Sequence, residues 1–172
     1  MNRWALIALA ACALSAGCGG DNPTAPSAGP LVFSAILLPS NEVPPVGNAE
    51  SSGRGAAQIT FDVARDGANA ITGATANVYI QFSGFTGSTT VVGAHIHPGV
   101  AGVNGPVLVG TPINAAGPFV LSNGAGEYRT SGIVVSAANM QAIAANPAGF
   151  YFNVHSPVNP GGFARGQLTR VQ

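Results

Sequence analysis

From Leu31 onward the apolar residues recur at every second position. Between Gly55 and Ala64, Ala57, Ile59, Phe61 and Val63 fall on one face, and Gln58, Thr60 and Asp62 on the other. That alternation predicts a strand with one face buried and one in water, the pattern of antiparallel sheets. Asp66-Gly67 marks a turn after it. In the next run, Ala76, Val78, Ile80 and Phe82 alternate with Asn77, Tyr79, Gln81 and Ser83. Further strands are expected over 31–38, 91–97, 132–135, 150–155 and 163–171, separated by Gly, Pro and Asn clusters. One short helix is expected near 137–146. Ser136 caps it, Met140, Ile143 and Ala144 take helical spacing, and Asn146-Pro147 ends it. No element is assigned to 101–123, which is rich in Gly and Pro. The expected fold is all-β, an antiparallel Greek-key-like sandwich or barrel with that one helix.

The chain opens differently. Residues 1–17 carry a short positive start at Asn2-Arg3 and an apolar run from Trp4 to Ala16, too short to span a bilayer. This three-part layout predicts a secretory signal peptide. Small residues lead into Cys18, and the junction resembles a bacterial lipoprotein signal, in which the cysteine carries the lipid. Leu9-Ala10-Ala11-Cys12 is a second match, with a shorter apolar run before it. A tether of Gly, Pro, Ser and Ala then fills 18–30, leaving one domain over 31–172. The expected location is the cell envelope, lipid-anchored, at the outer membrane or cell surface.

Composition narrows the partners. Of 172 residues only 6 are basic, all Arg, and 6 acidic, so charged residues make up 7%, against about 25% in ordinary domains. Without a basic footprint, nucleic acid is not an expected partner. Both cysteines lie in the first 18 residues, so the domain can form neither an internal disulfide nor a thiolate metal site. The sequence holds no Gly-x-Ser-x-Gly elbow and no phosphate loop between a strand and a helix. No catalytic residue is assigned.

The candidate chemistry lies in three histidines, all that the chain has. His95 and His97 are two apart, so on a strand they share a face, with Cβ atoms about 7 Å apart. His155 repeats the arrangement, with Tyr151 and Asn153 on its face and Phe152 and Val154 on the other. If the two strands are neighbours, three imidazoles meet on one metal ion, copper or zinc, although imidazole suits iron and nickel as well. The competing reading leaves the rings solvated and bonded to nearby loops. Glu42 stands beside a stiff Pro44-Pro45 pair. It is expected to form a structural ion pair with Arg165 or Arg54.

Several motifs resemble one family. Asn41-Glu42-Val43-Pro44-Pro45-Val46 looks like the opening of the CHRD domain, and Ala94-His95-Ile96-His97 with Gly102-Val103-Asn104-Gly105-Pro106-Val107 like its centre. Tyr151-Phe152-Asn153-Val154-His155-Ser156, Pro160-Gly161-Gly162 and Arg165-Gly166-Gln167-Leu168 look like its end. Ala164 stands where the family often has an acidic or polar residue. The resemblance implies little about function: in chordin such domains accompany modules that bind secreted growth factors. The expected role here is a secreted binding module with a protein or glycan partner. A weaker likeness, to the copper–zinc superoxide dismutase barrel, implies copper ligands at His95, His97 and His155 and an anion-guiding Arg165. That enzyme's two-metal site needs more histidines than this chain has.

Overall fold

A computed structural model describes residues 29–172. The expected signal peptide, Cys12, Cys18 and all but the last two residues of the tether lie outside them.

Eleven strands and one helix follow in order: β1 Leu31–Leu37, β2 Arg54–Arg65, β3 Ile71–Ser83, β4 Thr90–Val91, β5 Gly93–Pro98, β6 Val109–Gly110, β7 Phe119–Val120, β8 Gly126–Ser136, α1 Ala137–Ala145, β9 Phe150–His155, β10 Ala164–Gln167 and β11 Thr169–Arg170. One sheet runs β11-β1-β2-β3-β8 and a second β10-β9-β5-β6, with β4-β7 as a small pair beside them. Every strand pair is antiparallel. The all-β sandwich expected from the period of two is the observed fold.

The alternation accounts for the core. Phe33, Ala35 and Leu37 of β1, Ala57, Ile59 and Phe61 of β2, and Ala76, Val78, Ile80 and Phe82 of β3 are buried together. They meet Ala94 and Ile96 of β5 and Phe152 and Val154 of β9 from the second sheet. The outward residues Gln58, Asp62 and Gln81 are exposed. Asp66 makes the expected turn, its carboxylate accepting from the backbone N–H of Ala68 and Ala70. Helix α1 starts where Ser136 accepts from Asn139 N–H at 3.2 Å and stops before Pro147. It buries Met140 and Ile143.

Four boundaries differ from the sequence expectation. The strand expected over 132–135 is the end of the much longer β8, whose first half is mostly polar and half-exposed and so lacks a hydrophobic signal. The segment 163–171 divides into β10, on the second sheet, and β11, on the first. Segment 91–97 breaks between β4 and β5. The unassigned 101–123 stretch contributes β6 and β7, each two residues long. The two sheets are joined at one corner, where Leu38 and Arg165 form an antiparallel bridge.

Candidate metal centre

β5 and β9 are neighbours in the sheet, as the histidine face required. Their register sets His95 opposite Asn153, His97 opposite Tyr151 and His155 opposite Gly93. Ala94 and Ile96 point into the core, so His95 and His97 emerge on the other side, where His155 joins them. The ring centroids stand 4.9 Å apart for His95–His155, 5.7 Å for His95–His97 and 5.8 Å for His97–His155. One ligand atom from each ring lies within 4.8 Å of the others. Three nitrogens bound to one tetrahedral ion would stand roughly 3.4 Å apart.

Hydrogen bonds fix which nitrogens are left. His97 Nδ1 lies 3.0 Å from Gly105 O, and His155 Nδ1 lies 3.0 Å from Pro160 O. A carbonyl only accepts, so both Nδ1 atoms carry the proton and both Nε2 atoms keep a lone pair. Those two Nε2 atoms and His95 Nδ1 are buried without a protein partner. A histidine whose second nitrogen donates to a carbonyl is the usual arrangement of a metal ligand.

Small residues make the room. A Cβ on Gly93 would stand 2.9 Å from His95 Cε1 and 3.3 Å from His155 Cδ2. On the far side, Tyr151 stacks on His97 with centroids 5.0 Å apart and planes 8° from parallel. The Arg165 guanidinium carbon lies 4.6 Å over the other aromatic partner in this pile, the Tyr151 ring.

The rings resist protonation. Burial, then the neighbouring His155 and His97, push His95 down to about 4. Burial also lowers His97 and His155, against carbonyl hydrogen bonds from Gly105 and Pro160 that pull them back. The metal-free cluster is therefore neutral at pH 7, with its lone pairs free.

The two remaining site residues sit beside this centre. Arg165, read from sequence as an ion-pair or anion-guiding residue, is 1% exposed. Its Nε donates to Asn41 O at 2.6 Å and its Nη1 to Asn104 Oδ1 at 2.7 Å. Glu42 is buried as well. The direct ion pair expected between them is not formed. Among the described residues the ion pair within 4.0 Å is Arg129–Glu127, on the surface. Arg165 spends its donors on loop acceptors instead, and Arg54 is exposed.

Sequence reasoning missed Glu50. Its carboxylate accepts from Ser156 Oγ at 2.6 Å and from Asn159 Nδ2 at 2.5 Å. This holds the turn after His155, whose Pro160 carbonyl fixes that ring. The contact joins residues 106 apart in the chain, so local pattern carries no sign of it.

Residues 33–168 match the family model of the CHRD domain. The chain belongs to the CHRD domain family. No curated protein and no solved structure matches it. The likeness to the superoxide dismutase barrel accordingly rests on the placing of the histidines and Arg165 in the sequence alone. Within this CHRD domain, the three histidines, Glu42 and Arg165 all fall inside the matched span.

The buried groups set opposing pH dependences for folding. His95 binds its proton less well folded (about 4) than unfolded (6.5), so its contribution is complete above pH 6.5 and lost as pH falls toward 4. Glu42 does the reverse. Burial raises it from 4.5 to about 7, so its contribution is complete below pH 4.5 and lost as pH rises through about 7. The two partly cancel between pH 4.5 and 6.5. Denaturation midpoints of the metal-free Glu42→Gln variant should therefore climb more steeply with pH across that window than those of the wild type. Parallel curves would contradict the assignment.

Proposed function

We propose that this CHRD domain binds one transition-metal ion, copper or zinc, through His95, His97 and His155. On this reading it is an exported module of a bacterial cell envelope, lipid-anchored at Cys18. The carrying observation is the convergence of three buried, unpartnered imidazole nitrogens on one point. Solvated surface histidines would not leave three such lone pairs shielded from water and aimed at one another, since buried polar atoms are normally paired. With no thiolate among the described residues, an all-imidazole set suits Cu or Zn. A water or a non-histidine group completes the coordination. The wider role is that of a binding module with a protein or glycan partner. The export signal and the Cys18 junction in the sequence support the envelope location.

Titration of the full chain with Cu(II) and Zn(II), beside His95→Ala, His97→Ala and His155→Ala, tests the reading. One ion should bind per chain. Each alanine should weaken it by more than the ~10–100-fold that loss of a supporting group costs. Equal uptake by wild type and variants would end the proposal.

A further inference from the structure

Behind the three histidines lies a second set of buried polar atoms with no partner: Glu42 Oε1, Asn153 Oδ1 and Arg165 Nη2. All three residues are at least nine-tenths buried. Asn153 is the link. It faces His95 across β5–β9 and Arg165 across β9–β10, and it lies between Tyr151 and His155 on the histidine face of β9. The tip of the Asn153 side chain and Glu42 Oε1 converge beside Gly162. A Cβ built there would stand 2.6 Å from Asn153 Oδ1 and 2.7 Å from Glu42 Oε1.

Two buried acceptors brought together need a hydrogen between them. The Asn153 amide nitrogen donates to Gly161 O at 3.3 Å and makes no hydrogen bond to Glu42 Oε1. Turning the amide over would only set its oxygen against that carbonyl. Arg165 is the charged group acting on Glu42, from β10, but its Nε and Nη1 are engaged on Asn41, Val103 and Asn104, and its free Nη2 forms neither an ion pair with Glu42 nor a hydrogen bond to Asn153. Of the other titratable groups nearby, the histidines of β5 and β9 are neutral, Tyr151 accepts from Gly105 N–H, and Glu50 is held by Ser156 and Asn159. A protonated carboxyl carries that hydrogen itself.

We propose that Glu42 is a protonated acid in the metal-free protein, its O–H directed at Asn153 Oδ1, and that a divalent cation entering between the three histidines displaces this proton to solvent. The inference rests on the metal reading above. The balance is simple: the carboxyl O–H bond breaks, the carboxylate stays, and its negative charge offsets part of the ion's. Burial alone already favours the neutral acid, raising Glu42 to about 7 against the pull of Arg165. An ion's two positive charges, one side chain away through Asn153, reverse that preference. Metal uptake by this domain is thus an exchange of a cation for a proton held off the ligands.

The test uses the full chain at about pH 6, where such an acid is mostly protonated, with Zn(II) as the probe. Infrared spectra should show a carboxylic-acid C=O stretch that is missing from Glu42→Gln. The Gln amide still donates toward Asn153 Oδ1, so the variant keeps the fold. The band should vanish as Zn(II) binds. Calorimetry in two buffers of different ionisation heat should count fewer protons released by Glu42→Gln than by the wild type. A wild type without the band, or a band that survives Zn(II) binding, would overturn the proposal. Absence of Zn(II) binding by either protein would instead overturn the metal reading, and the exchange with it.

Discussion

Replacing Arg165 by Ala is expected to cost the domain about 2–5 kcal/mol, the range for truncating a large buried side chain. The guanidinium joins three parts of the chain. It donates to Asn41 O in the loop after β1 and to Val103 O and Asn104 Oδ1 in the loop after β5. Its own strand, β10, holds the corner between the sheets through Leu38. Alanine would remove the hydrogen bonds to these part-buried acceptors, each worth about 1 kcal/mol or more to a charged donor. It would also open a void under Tyr151. Arg165→Lys should recover little, because an ammonium cannot fork to acceptors on two loops or stack flat on a phenol. Urea denaturation of the three proteins gives the comparison. A loss below about 1 kcal/mol for the alanine variant would show that the network is not what ties the loops down.

The second large effect is expected at Gly105. A Cβ there would lie 1.8 Å from Pro98 O and 2.9 Å from Pro98 C. Backbone cannot swing aside as a side chain can, so the loop itself must move. Yet Gly105 O accepts from His97 Nδ1, and Gly105 N–H donates to the Tyr151 hydroxyl at 3.1 Å. Gly105→Ala should therefore lower stability by about 1–3 kcal/mol, as overpacking does. It should also weaken metal binding by ~10–100-fold, because His97 loses the carbonyl that orients it. Gly117→Ala is the control, since nothing lies within 4 Å of a Cβ there. Nitrogen NMR of the His97 ring separates the two effects. An unchanged Nδ1–H tautomer with unchanged affinity would mean that the carbonyl does not set the ligand.

The sandwich was legible because its strands are buried on one face only. Ile59 and Phe61 announce a side, and one-residue slips would expose them. The histidine cluster was legible for the same reason: Ala94 and Ile96 tell which way His95 and His97 point. What stayed hidden depends on contacts between distant segments. Glu42 reads as one half of an ion pair until Gly162 and Asn153 close over it. Arg165 reads as one half of an ion pair, since nothing local reveals that Asn41 and Asn104 offer neutral acceptors at better positions. Nothing local marks out Gly93 or Gly105, although one gives two rings their space and the other orients a third.

Strand β1 gives the domain two poles. The chain enters at Leu31 and runs to Leu37, roughly 20 Å away at strand rise. The segments that brace the histidines begin beyond that far end: Asn41 and Val43 reach Arg165 and Asn104, and Glu50 reaches Ser156. An anchor at Cys18 would pull on the Leu31 pole. The histidine pole would then point outward from the lipid surface, as the tip of a stalk. A metal donor or acceptor protein could approach it head-on, without having to fit between the domain and the bilayer.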